Sequence, residues 1–401
     1  LEPVRRKVSR ARDELCESGG HLRTSSRGTR RAVRHSDQAF GNDAGRDQLH
    51  GGAHDACDPV HRGHPDHEDD VGAGKDAARQ QVPVLDVDRA GLWLSFDVSF
   101  DIGAGEIVGM VGESGSGKSV TGSSLMRLLP SKAVVRGRAE LDGHDLITMS
   151  ERQIRRFRGE HISMIFQEPM TALDPVLTIG TQLVETLRTH RRLDKKQARQ
   201  RAVELLTEVG IPVPEKRFHQ YPHQLSGGMR QRAMIAIAVS CEPKLLIADE
   251  PTTAVDVTIQ AQILQLLKKL STDHGTAILF ISHDIGVISQ ICERMLVMYA
   301  GQLIETGDID SLLWNPLHPY TSGLMGAVPK VHQEGRELTG IPGQVPQLGQ
   351  MPEGCRFAPR CPHAEPACGE PQELLPVPYP GPRRDVRCRR SDELELPGAL
   401  A

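Results

Sequence analysis

No stretch of the sequence approaches the run of roughly 20 apolar residues that a membrane-spanning helix needs. Charges and glycines interrupt every hydrophobic segment, so membrane association has to come through partners. A positive field is also missing. The formal charge is −4, which gives nothing of the kind that draws nucleic acid, and nucleic acid is not expected as a partner. The chain does not open on a charged n-region, an apolar h-region and a cleavage site, so its eight cysteines read as thiols of a reducing compartment. Aromatic residues are scarce throughout and nearly absent from residues 1–82, which are rich in Arg, Asp, Gly and His and carry neither helical nor strand periodicity. That segment is expected to be disordered, or to be an upstream stretch translated in the wrong frame with the native start near Val82. Its histidines His50, His54, His61, His64 and His67 lack the supporting shell that a metal site needs.

The rest of the chain is organised differently. From Val84 onward, short β-branched runs alternate with amphipathic segments and glycine turns, the pattern of an α/β domain. Buried strands are predicted at Ile107–Val111, at Ile162–Phe166, at Leu245–Ala248 and at Ala277–Ile281. Asp194 is suited to cap a helix running to Val209 with Gly210 beyond it, and the stretch from Thr258 to Leu270 puts Ile259, Ile263, Leu266, Leu267 and Leu270 on one face. From Asn315 the composition turns to Pro, Gly and Cys, which predicts a loop-rich appendage over 315–401.

The strand Ile107–Val111 runs into Gly112-Glu113-Ser114-Gly115-Ser116-Gly117-Lys118-Ser119, a phosphate-binding loop at every fixed position. Glycines let successive backbone N–H groups turn inward around a phosphate, the following helix adds its N-terminal partial charge, and Lys118 neutralises phosphate oxygens. Ser119 offers a hydroxyl to Mg²⁺. The apolar run Leu245–Ala248 ends in Asp249-Glu250, a carboxylate pair in which Asp249 is assigned to the metal and Glu250 to the attacking water. Ser226-Gly227-Gly228 form a second helix-start anion site, too far along the chain to belong by default to the first.

With Gln167 in Ile165-Phe166-Gln167-Glu168-Pro169, the segment Leu225 to Arg232, Ala254-Val255-Asp256, and His283 in Ile281-Ser282-His283-Asp284, the chain resembles the ATP-binding subunits of ABC transporters, from about Val84 to the C-terminus. The segments from Gln167 to Pro175 and His318-Pro319-Tyr320-Thr321 are similar to those of the oligopeptide and dipeptide importer ATPases. This resemblance implies a P-loop ATPase core over residues 83–314 with a helical subdomain around 174–239. It implies ATP as substrate with Mg²⁺. Gln167 would sense the metal and the membrane partner, and His283 would contact the γ-phosphate. Ser226, Gly227 and Gly228 would close over the nucleotide of a second ATPase subunit, identical or paralogous. It further implies peptide import at the cytoplasmic face of the membrane, with two permease subunits and an extracytoplasmic binding protein. Import of nickel or another small solute is the alternative, and a soluble, non-transport ATPase of the same superfamily is a more distant one. Met229 stands where many relatives carry Gln.

Cys355, Cys361, Cys368 and Cys388 fall close together among prolines and arginines, a ligand set suited to an iron–sulfur cluster or to zinc, although no C-x₂-C pair occurs among them. Similar sets in relatives imply a [4Fe–4S] cluster that staples the extension. Cys241 and Cys292 lie in apolar surroundings and read as core. For the adenine ring, Trp93 is the first candidate platform and Phe96 the second.

Overall fold

The structure, a computed structural model, describes residues 79–89, 92–253, 255–327, 340–378 and 383–399, with side chains from Ser95 onward. The readings of the histidine tract and of the chain before Arg79 lie outside the described residues, as do Ala254 and the side chain of Trp93.

Two long strands, β1 (Arg79–Arg89) and β2 (Leu92–Gly103), precede β3 (Ile107–Val111), which feeds helix α1 (Lys118–Leu125). Then come β4 (Ala133–Arg138), β5 (Glu140–Leu141), β6 (His144–Asp145), α2 (Glu151–Glu160) and β7 (Ile162–Ile165). A helical segment comes next: α3 (Pro169–Ala172), α4 (Ile179–Arg191), α5 (Lys195–Glu208), α6 (Pro214–Phe218) and α7 (Gly227–Val239). The chain returns to the sheet through β8 (Leu245–Asp249), α8 (Val257–His274), β9 (Ala277–Ile281), α9 (Ile285–Ile291), β10 (Arg294–Tyr299) and β11 (Gln302–Asp308). Helices α10 (Ile309–Trp314) and α11 (Pro319–Gly326) and the two-residue strands β12 (Leu375–Pro376) and β13 (Asp385–Val386) follow.

The main sheet has the order β12-β13-β11-β10-β3-β9-β8-β7. Its five strands from β10 to β7 are parallel, and β11, β13 and β12 extend it antiparallel. Strands covered on both faces read as continuous apolar runs. In β9, Ile278 and Phe280 face one hydrophobic core while Ala277, Leu279 and Ile281 face the other. Strands β3 and β9 have the predicted bounds, whereas β8 takes in Asp249 and β7 stops before Phe166.

The predicted cap is present: Asp194 accepts the backbone N–H groups of Lys196 and Gln197 at 2.8 Å each, and the Gln197 side chain accepts that of Asp194 at 3.1 Å. Leu183, Leu187, Ala202 and Leu205 from α4 and α5 share their core with α7 and with β8 and β9, so the helical segment is packed onto the sheet.

The described residues after Asn315 are loop-rich, yet they are not a separate appendage. They lie in the same compact unit as the rest of the described chain, add β13 and β12 to the main sheet, and bury Tyr320 and Phe357 in one of its cores. Arg384 and Glu305 form a 2.6 Å ion pair across the β11–β13 junction, with side chains only 3% and 0% exposed. Glu305 also accepts the backbone N–H groups of Leu317 and His318. The composition change at Asn315 marks a change in local structure while the packing runs across it.

Candidate functional site

The turn between β3 and α1 is built around glycine. A Cβ on Gly112 would collide with the Met298 carbonyl oxygen, while Gly117, at the head of α1, has a left-handed φ of 101°. Gly115, with φ +80°, has open space where a Cβ would be, so the loop presents its backbone without obstruction. The Lys118 ammonium is buried and donates to the carbonyls of Gly112 (2.8 Å) and Glu113 (2.9 Å) and to Ser116 Oγ (3.4 Å). Burial lowers its pKa, against the opposing pull of Glu250, Asp249 and Glu113.

Strand β8 delivers its carboxylates to this loop. Ser119 Oγ donates to Asp249 Oδ1 at 2.9 Å. Burial raises the Asp249 pKa, and the neighbouring Glu250 adds to the effect. Glu250 has a left-handed φ of 48°, an uncommon conformation for a residue with a side chain and one that gathers at functional sites. Its Oε2 accepts from Gln167 Nε2 at 3.0 Å and from Thr253 Oγ1 at 2.9 Å, and its Oε1 lies 3.1 Å from His283 Nδ1. Burial opposes ionisation of Glu250, but the hydrogen bonds from His283 and Thr253 outweigh it and hold the carboxyl below its usual range.

Gln167, Glu250 and His283 thus meet in one network, and Ser119 with Asp249 in a second beside it. Ser226 does not join either. It caps α7, accepting the Met229 N–H at 3.4 Å, and Gly227 has nothing within 4 Å of its Cβ position. Further down α7, Gln231 donates to the Pro251 carbonyl at 2.7 Å, tying this helix to the chain just after Glu250. Thr253 was not singled out in the sequence; its position three residues after Glu250, one turn away, is the available signal.

Cys355, Cys361, Cys368 and Cys388 line one cavity with His318 and His363. The iron–sulfur expectation gains no support from the structure. Among the described residues no group of three or more His, Cys, Asp or Glu side chains is arranged to hold a metal ion. Burial pushes the Cys355, Cys361 and Cys388 thiols up, that of Cys388 to about 12, and the neighbouring cysteines add to the effect. Cys241 and Cys292 are buried in the core, as expected. Phe96, the second adenine candidate, carries the Arg356 guanidinium 5.7 Å from its ring centre.

Comparison with known proteins agrees with this geometry. Residues 96–253 match the ABC transporter family, and residues 304–368 match the oligopeptide/dipeptide transporter C-terminal region. The chain is 53% identical over 293 residues to the oligopeptide transport ATP-binding protein AppD of Bacillus subtilis, covering 73% of this chain and 89% of that protein. It is 49% identical to the oligopeptide transport ATP-binding protein OppD of Salmonella typhimurium over 69% of this chain and 83% of that one. Among solved structures it is similar to the ATP-binding cassette MJ0796, a dimer in a post-hydrolysis state with ADP and Pi, at a TM-score of 0.52 and 28% identity over 58% of this chain and 98% of that one. None of the described helices is long and apolar enough to cross a membrane. A glycine loop backed by a serine–aspartate pair and a clamped glutamate, carried on a sheet that also holds the matched C-terminal region, places this chain among the ATP-binding subunits of ABC transporters, in the oligopeptide/dipeptide branch.

Proposed function

We propose that this chain is an ATPase subunit that powers import of peptides across the cytoplasmic membrane, working at the cytoplasmic face against integral permease subunits. The names of the relatives support the transport role. The observation that carries the hydrolytic role is the clamped Glu250 carboxylate beside the Ser119–Asp249 pair.

In this reading the backbone N–H groups of residues 114–119 and the Lys118 ammonium hold the ATP phosphates, with Gly112, Glu113, Gly115 and Gly117 shaping the loop. Ser119 and Asp249 offer hard oxygens suited to Mg²⁺, with Gln167 alongside, and the ion would neutralise phosphate charge. Glu250, a carboxylate at neutral pH, accepts a proton from water as the water oxygen bonds to the γ-phosphorus and the bond to the β–γ bridging oxygen breaks, releasing ADP and phosphate. His283 and Gln167 orient that carboxylate from opposite oxygens. Ser226, Gly227 and Gly228, outside the chain's own network, complete the site of a second ATPase subunit, identical or paralogous. A binding protein outside the membrane would select the solute. Trp93 remains the first candidate for the adenine platform.

The direct test is Glu250→Gln in the full chain. ATP affinity is expected to persist while turnover falls by at least about 100-fold, because the proton acceptor is gone and the phosphate contacts remain. Undiminished turnover would refute the role of Glu250.

A further inference from the structure

Each polar group of Glu113, the second residue of the phosphate loop, is held. Its backbone N–H donates to Tyr320 Oη at 2.8 Å. The carbonyl of the same peptide unit, that of Gly112, accepts Lys118 Nζ. One planar peptide is therefore gripped at its N–H by Tyr320 and at its C=O by Lys118, and because the unit is rigid, turning one end turns the other. The Glu113 carbonyl accepts Lys118 Nζ and the Ser116 N–H. Its carboxylate meets Arg360 Nη1 at 3.1 and 3.2 Å.

Tyr320 and Arg360 both lie beyond residue 314, outside the stretch that matches the ABC transporter family. Both are fixed by their surroundings. Tyr320 is fully buried and packs on Tyr299 and Phe357 at ring-centre distances of 4.6 and 5.4 Å. Arg360 also donates to the carbonyls of Pro342 and Ile341 and to Tyr299 Oη, leaving its guanidinium little freedom.

We infer that Tyr320 and Arg360 are positioning residues of the phosphate loop, setting from the C-terminal region the orientation of the Gly112–Glu113 peptide and through it the place of the Lys118 ammonium. The inference rests on the reading that this loop holds the phosphates of ATP. An unpartnered buried N–H is costly and a hydrogen bond to a charged group is among the stronger ones, so loss of either contact frees the loop while the lysine remains present.

The test uses the full chain in steady-state hydrolysis. Tyr320→Phe removes one oxygen from an otherwise unchanged ring, and Arg360→Gln removes the ion pair. Each is expected to raise KM for ATP about tenfold with kcat within about twofold, the split that marks lost ground-state binding. Arg360→Lys should recover part of the loss. Arg383→Gln, in the same region but exposed and paired with Asp385, should change neither parameter. Wild-type KM in both Tyr320→Phe and Arg360→Gln, with Lys118→Ala still losing ATP binding, overturns the inference and leaves the site reading intact. Unchanged ATP binding in Lys118→Ala overturns both.

Discussion

Three side chains from three segments converge on Glu250, and each constrains it differently. Gln167 and Thr253 donate to one oxygen and His283 engages the other. Removing the hydroxyl of Thr253 with Thr253→Val takes away a donor that stabilises the charged form, so the Glu250 pKa should rise. The acid limb of kcat/KM then moves to higher pH, an outcome that a pH profile of ATP hydrolysis reads directly.

A second titration concerns stability. His318 is buried and its pKa is pushed by burial and by Arg387 from 6.5 down to about 3. Its Nδ1 accepts the Tyr320 N–H at 3.0 Å, and its own backbone N–H is taken by the Glu305 carboxylate. The unfolded chain binds a proton at this side chain below 6.5 and the native one does not until about 3, so stability falls as pH drops through that window. His318→Asn keeps an acceptor for Tyr320 without a titrating ring, and urea titrations from pH 7 to pH 4 should show a shallower loss of stability than in the parent.

At this scale the sequence was informative where chemistry is local. Gly112 to Ser119 and Asp249-Glu250 carry their meaning in contiguous residues. Tyr320 and Arg360 reach Glu113 across 207 and 247 positions, and nothing in a linear reading connects them. The four cysteines, read as a set from their closeness along the chain, do come to line one cavity.

Elements obeyed a similar rule. The buried parallel strands β3 and β9 were legible because both faces are covered and their residues are apolar without interruption. The cap at Asp194 was legible because its partners lie two and three residues away. Asp194→Ala should cost about 1 kcal/mol, seen as a lower melting temperature with KM for ATP unchanged. Strand β13 was not legible. It is two residues long, one of them charged, and its place is fixed by Thr306 bonding Asp385 and by Arg384 meeting Glu305 on the neighbouring strand. β1 was hidden for a different reason: Pro83 interrupts its short apolar run, and its pairing with β2 changes register along its length.

For the whole molecule, the helix starts at Lys118 and Ser226 belong to networks that do not share a bond. In the proposed reading Lys118 holds this chain's own nucleotide and Ser226 serves that of a second subunit. Ser226→Glu should therefore leave ATP affinity of the isolated chain unchanged while lowering turnover of the assembled ATPase pair by about 100-fold, since on that reading a carboxylate there would face the partner's γ-phosphate. Equal loss of affinity in the isolated chain would place Ser226 in the chain's own site.

The Glu305–Arg384 pair bears on how such a chain can change over generations. Breaking a buried ion pair by removing one member costs about 3–5 kcal/mol, because the charge left behind has no solvent to turn to. A gene that lost the segment encoding Arg384 while keeping β11 would leave Glu305 in that position. Recombination between relatives should therefore succeed best where both halves of the pair travel together.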